Sequence, residues 1–365
     1  MSGSAGAPVV LGGGAFCAVG RGLAQVDASV RAGLARFSAS SVIDRRFEPM
    51  VLSLVPGDAL EPLLSDPDIE AFPVRRRRLL SLAAPALREA LGALPPGALP
   101  PPLFLGLAET APGEVNPSPR AVAAAFATQA GVLLDLPKSQ IFAAGRAAAL
   151  LALEAAVRAL AEGSAERVLV GGVDSHFDMA RLGLLDAEDR IKGAQVMDGF
   201  IPGEGAAFVL LAKPAGGKSA RDADKVRVLG VGKARDPGHL YSKEPARGEG
   251  LANAMDVMFA QPEAKSSPPA RTTYAGLNGE NFGAKEWGVA NIRHRARFDP
   301  QAALLHPAQS YGDAGAATGA LLLAVASAAL AHGAAEGPAL VWASSDREDC
   351  ACALLQAPDK RNEIG

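Results

Sequence analysis

The chain has 365 residues, of which 49% are hydrophobic and 21% charged, with a formal net charge of −3 at pH 7. That length suits two packed halves with a large core, and the slightly acidic balance gives no support for binding nucleic acid or an anionic membrane surface. Cys17, Cys350 and Cys352 are an odd number of cysteines in a large chain with no visible secretory signal, which argues against a disulfide framework and for a reduced, cytoplasmic setting.

Residues 9–12 read as a short apolar strand that runs into Gly12, Gly13 and Gly14. Helical spacing of apolar residues follows over 26–34 and over 75–91, where Leu79, Leu80, Leu82, Leu87 and Leu91 supply the apolar positions. The basic run 75–78 reads as the solvated start of that helix, not as a nucleic-acid patch. Residues 95–102 form a proline-rich connector. A strand at 103–107, a helix at 119–130 with Pro119 in its first turn and a strand at 140–144 come next. Gly145 opens a long Ala/Leu helix that ends near Glu162 and Gly163. Residues 167–170 read as a buried strand ending at Gly171 and Gly172, and 205–212 as another. The segment 214–225 (PAGGKSARDADK) is polar and reads as a linker.

After it the pattern restarts. Strands are predicted at 226–231, 272–277, 339–344 and 351–356, helices at 248–259, 284–292 and 316–331, and a loop at 262–269. The Ala-rich stretch 315–331 reads as a buried helix and not as a membrane span. Strands alternating with helices predict an α/β fold with largely buried sheets. Two similar patterns flanking a linker predict a duplicated architecture, with halves at 1–213 and 226–365.

Four segments carry a family likeness. The run GRAAALLALEAAVRALAEG at 145–163, followed by SAERVLVGG at 164–172, resembles the nucleophile helix and following strand of the β-ketoacyl synthases. DGFIPGEGA at 198–206 is similar to that family's DGF-x-x-GEGA turn, and VVLGGGAFCAVG at 9–20 to its opening strand and loop. SYGDAGAATG at 310–319 resembles its S-x-x-GH-x-x-GAAG segment with one residue fewer. The resemblance implies a thiolase-like fold, five layers in the order αβαβα built from two duplicated halves, and a dimer. It implies acyl transfer by a Cys thiolate activated at a helix N-terminus, with two His donors stabilising the developing oxyanion; the sequence itself shows no metal site and no nucleotide-binding glycine loop in the needed context, so no cofactor is expected.

Those reactive residues have no match here. Counted back from Gly163, the Cys position falls on Arg146, and no Cys lies between Cys17 and Cys350. Counted back from Gly283, the first His position falls on Gly276; the second falls on Asp313. The family's upstream Lys is replaced by Gln309, and its late Gly-Phe-Gly-Gly loop by SSDRED at 344–349. Arginine stays protonated and cannot act as the nucleophile, and in a comparable hydrolase loss of the nucleophile costs on the order of 10⁶ in turnover.

A cation at a helix start lies at the wrong end of the dipole and, if buried, needs an acid. The resemblance sets the positions of Arg146 and Asp313 across one pocket. An Arg146–Asp313 pair plugging it is therefore expected, with Glu280 as a second partner and Gln309 on the same pocket. The alternative is an open pocket in which Arg146 binds a ligand carboxylate or phosphate. Cys17 reads as a buried filler and Ser139 as a poor substitute nucleophile. Asp174 and His176 read as loop residues bonded to backbone, and Glu204 as holding a turn. His239, His294, His306 and His332 show no metal spacing.

The resemblance and its gaps together point to a non-condensing, chain-length-factor-like homologue of fatty-acid or polyketide type. It would work as a homodimer, or as a heterodimer with an active ketosynthase, pairing through 140–144, with acyl carrier protein as a further partner. The other reading is an acyl-transferring or acyl-binding enzyme that uses a different residue set in the same pocket.

Overall fold

A computed structural model describes residues 6–110, 118–214 and 224–358 of the chain. Most of the expected linker, 215–223, lies outside the described residues. The strands are β1 (Val9–Cys17), β2 (Gly20–Arg21), β3 (Ser38–Ile43), β4 (Pro49–Leu52), β5 (Leu103–Leu107), β6 (Gln140–Ala143), β7 (Arg167–Ser175), β8 (Glu204–Ala212), β9 (Arg227–Arg235), β10 (Ala270–Ala275), β11 (Phe298–Leu305), β12 (Ala339–Ser344) and β13 (Asp349–Gln356). The helices are α1 (Leu23–Arg31), α2 (Pro67–Glu70), α3 (Arg77–Leu91), α4 (Pro119–Ala130), α5 (Ala148–Glu162), α6 (Met179–Ala187), α7 (Glu249–Phe259), α8 (Pro262–Lys265), α9 (Asn281–Arg293), α10 (Ala308–Tyr311) and α11 (Thr318–Ala331).

One sheet runs in the order β11-β10-β12-β13-β9-β1-β8-β7-β5-β6, with β2 paired to β1. Its two wings repeat each other. From the outer edge inward, β6-β5-β7-β8-β1 and β11-β10-β12-β13-β9 share their order, their parallel outer pairs and their antiparallel inner pairs. The wings join where β1 meets β9. This is the duplicated α/β fold expected from the sequence.

Alternation along the strands builds the layers, because successive side chains point to opposite faces. Leu103, Leu105, Leu169, Val173, Phe208 and Leu210 pack outward against α3 and α4. Phe104, Val168, Val170, Val209 and Leu211 face inward onto α5 and α11. In the other wing Val341, Ala353 and Leu355 face the same central helices, while Leu340, Trp342 and Leu354 face α7 and α9. The result is five layers in the order αβαβα. Helix α11 is buried nearly all round, as a central helix must be. No helix among the described residues is long and apolar enough to cross a membrane.

Two strands run further than their glycines suggest. A Cβ on Gly14 would lie 2.2 Å from the Ala86 carbonyl oxygen, so β1 continues through bare backbone on which α3 packs. A Cβ on Gly171 would lie 2.1 Å from the Phe208 ring, and β7 likewise runs on to Ser175. The β3–β4 hairpin, α6 and β11 are additional elements, and the expected loop at 262–269 begins with the short helix α8.

Candidate functional site

The duplicated wings aim two helix starts at each other. Each central helix is entered through a single 3-10 turn, Gly145–Ala147 before α5 and Gly315–Ala317 before α11. Gly145 and Gly315 open these turns at φ 53° and 54°, a left-handed conformation that glycine adopts without strain. A Cβ on Gly172 would meet the Ala316 carbonyl oxygen at 2.5 Å, and one on Gly319 the Arg146 carbonyl oxygen at 2.9 Å. Bare backbone at these two places lets the helix starts converge, with Arg146 on one and Asp313 leading into the other.

Around them the side chains close a ring. Arg146 donates from Nη1 to Asp313 Oδ2 at 2.9 Å, from Nε to the Ser344 carbonyl at 3.2 Å, and from Nη2 to Asp346 Oδ1. Asp346 also accepts two bonds from Arg190, at 2.9 and 3.0 Å. Arg190 reaches Glu280 through two more, at 2.7 and 2.9 Å. Asn278 Nδ2 completes the circuit, donating to Glu280 Oε2 at 2.9 Å and to Asp313 Oδ2 at 2.8 Å. The Arg190 guanidinium further contacts the Tyr241 hydroxyl at 2.8 Å, and that hydroxyl donates to Glu188.

The Asp313 side chain is fully buried and that of Arg146 is 13% exposed. Burial pushes the Asp313 carboxyl up, but Arg146, with the Asn278 hydrogen bond behind it, holds it well below the usual carboxylate range. Asp346 is likewise depressed: Arg146 and Arg190 outweigh its burial. Burial lowers Arg146, yet Asp346, Asp313 and Glu280 more than compensate and keep it firmly charged. Two guanidinium groups thus face three carboxylates. The converging helix N-termini supply further positive field, and Asp313 Oδ1 takes one of their amides directly, Gly315 N at 2.7 Å.

The structure brings Arg146, Asp313 and Glu280 together. Glu280 bonds Arg190 rather than Arg146, whose second acid is Asp346. Gly276 directly follows β10 beside them. A Cβ there would lie 3.0 Å from both the Trp342 carbonyl oxygen and the Ala343 Cα, leaving little room for a side chain. Gln309 is elsewhere: it is exposed on α10 and lines a separate groove beside β10 and β11. Asp346, Arg190 and Asn278 are the residues that sequence reasoning missed. The substitution of SSDRED for a glycine loop was the one available signal for Asp346; nothing marked the other two.

The remaining candidates have structural surroundings. Asp174 accepts from Ser175 N, Ala316 N and Arg181 Nη1, tying β7 to the start of α11. His176 is buried and its ring nitrogens make no hydrogen bond, contrary to expectation; Nε2 stands 3.5 Å from Asp313 Oδ1. Burial and the nearby Arg181 lower its pKa, so the ring is neutral at neutral pH. Glu204 takes Arg78 in two bonds, at 2.6 and 2.7 Å, and also Val55 N and Ser175 Oγ. The basic run at 75–78 is therefore not simply solvated, since Arg78 turns inward. Cys17 is buried and its thiol is pushed up to about 12 by that burial. Among the described residues no group of three or more His, Cys, Asp or Glu is arranged to hold a metal.

Residues 114–215 match the family model for the N-terminal domain of β-ketoacyl synthase. Over that stretch the chain is similar to the β-ketoacyl synthases. The match includes Arg146, the paired glycines of β7 and the DGFIPGEGA turn. Solved ketosynthases share the fold of this ketosynthase-like chain across almost its whole length. The ishigamide ketosynthase/chain length factor superposes with a TM-score of 0.68 at 20% identity, covering 96% of this chain and 99% of that one. The ketosynthase from module 6 of the bacillaene synthase of Bacillus subtilis 168 gives 0.74 at 13% identity, covering 96% and 72%. A type II polyketide synthase acyl-carrier protein in complex with its ketosynthase gives 0.70 at 16%, covering 96% and 99%. No curated protein matches the sequence at a significant level.

Proposed function

We propose that this chain is a ketosynthase homologue of fatty-acid or polyketide type that does not condense acyl groups and serves as a dimer partner. The observation that carries the reading is the state of Arg146. It stands where the resemblance sets the nucleophile, and its guanidinium is taken up by Asp313, Asp346 and the Ser344 carbonyl. A cation saturated in this way neither attacks a thioester nor remains open to a ligand carboxylate. The ring contains no thiol and no serine or threonine hydroxyl.

The outer strands support pairing through β6. Its sequence, Gln140-Ile-Phe-Ala143, has no charge and no proline, and Ile141 and Phe142 are only half-buried. An uncharged, unguarded edge is a template for another strand. The opposite edge, β11, carries Asp299 and Pro300 and pairs irregularly with β10. The partner is a second copy or a Cys-bearing ketosynthase. The ishigamide structure is described as a ketosynthase/chain length factor, the second arrangement.

Intact mass spectrometry after incubation with acyl-CoA and with acyl-loaded carrier protein tests the chemistry. The expected result is an unmodified chain. A covalent acyl adduct would replace this reading with that of an acyl-transferring enzyme built on other residues. Native mass measurement and co-purification test the assembly: a dimer, alone or with a ketosynthase, is expected, and a stable monomer with no such partner would refute it.

A further inference from the structure

A groove of about 680 Å³ lies on the inner face of the C-terminal wing, distinct from the ring. Its floor is the inward face of β10 and β11, and its walls come from α1 and α11. The volume falls in the range of roughly 300–1,000 Å³ usual for small-molecule sites. Val30, Leu305 and Val325 give it an apolar side.

Its polar end has a built geometry. Asp27 is 1% exposed, and its Oδ2 accepts from Arg31 Nε at 2.9 Å and lies 2.9 Å from His332 Nε2. This holds the Arg31 guanidinium by one edge, while among the described residues its Nη1 and Nη2 make no hydrogen bond. Tyr274 is 1% exposed and lines the groove, and no group among the described residues hydrogen-bonds its hydroxyl. Burial, then the Asp27 charge, raises its pKa, so the hydroxyl stays a donor at neutral pH. His306 stands on the same lining. The other cation there, Arg271, is paired with Glu336 at 2.5 Å.

We propose that this groove binds a small monocarboxylate with a short apolar body, its carboxylate held by the Arg31 guanidinium and the Tyr274 hydroxyl. An oriented guanidinium edge matches the two oxygens of a carboxylate, and the apolar wall rewards a hydrocarbon body over a bare anion. The proposal is independent of the state of Arg146.

Calorimetric titration of the intact chain with octanoate tests it, with octanol and inorganic phosphate as comparisons. One-to-one saturation by octanoate is expected, with both comparisons weaker. Tyr274→Phe removes a single unbonded hydroxyl and keeps the core shape; it should weaken octanoate about tenfold, and Arg31→Met at least as much. Circular dichroism establishes that each variant is folded. No saturation at millimolar octanoate, unchanged affinity in folded Tyr274→Phe, or phosphate binding as tightly as octanoate would each overturn the proposal.

Discussion

Replacing Arg146 by methionine keeps much of the stem volume and withdraws three hydrogen bonds and one of the ring's two cations. Asp313 retains Asn278 and the Gly315 amide, and Asp346 retains Arg190. Removing one partner of a buried pair costs about 3–5 kcal/mol, and the retained bonds put this case at about 3 kcal/mol. Asp313→Asn strands Arg146 in the opposite sense, with Asp346 and the Ser344 carbonyl left, at a cost of about 3 kcal/mol. The double variant strands neither charge. It should cost about 3 kcal/mol rather than the sum, a coupling of about 3 kcal/mol. Urea unfolding of the four proteins, extrapolated linearly, measures each term. Additivity within about 0.5 kcal/mol, or single costs below about 1 kcal/mol, would refute the ring as an energetic unit. The pH dependence has a definite sign. In the wild type Asp313 is depressed, so its contribution is present above its unfolded pKa of about 3.9 and is lost as pH falls through the folded value. Without Arg146, burial raises the Asp313 carboxyl instead, and the variant regains stability relative to the wild type on acidification. The two unfolding midpoints should converge as pH falls from neutrality toward about 4.

Gly276→His reinstates the residue type of the resembling family where a Cβ already lies 3.0 Å from Trp342 and Ala343 backbone. Overpacking of this kind costs about 1–3 kcal/mol, and an unchanged thermal midpoint would show that β12 yields freely. Glu286 is buried against Ser344 and Cys350, and burial raises its carboxyl despite their hydrogen bonds. Its stabilising contribution is complete below the unfolded pKa of about 4.3 and is lost as pH rises through the raised folded value. Glu286→Gln, which stays neutral, should therefore gain on the wild type in urea midpoints as pH rises above about 4.3; parallel profiles would contradict this.

Much of the architecture was legible because buried strands and helices leave periodic apolar runs, as at 103–107 and 316–331. The ends of β1 and β7 were misread for one reason: a glycine under a helix or a large ring looks, in one dimension, like a glycine in a turn. The β3–β4 hairpin was invisible because β3 has no buried residue. Arg146 and Asp313 could be found by counting from Gly163 and Gly312, since those glycines fix the register. Asp346 and Arg190 are 200 and 156 residues from their partners Arg146 and Asp346, and a lone charge at such a distance carries no mark of where it will fold. Arg78 shows the same limit. Only its place on α3 separates it from Arg77, whose guanidinium goes to the Phe72 and Glu70 carbonyls.

Duplication also sets how large an assembly can grow. It gives every molecule two equivalent outer strands, β6 and β11. Were both free to pair, β6 of one copy could join β11 of the next, and head-to-tail addition would propagate as a fibre. Pro300 has no amide hydrogen to offer a neighbour, and the irregular register of β11 breaks the row of donors and acceptors beside it. The proposed pairing through β6, between two copies, would be a self-complementary contact that closes at two. On that proposal, one proline in one repeat would separate a finite particle from a polymer.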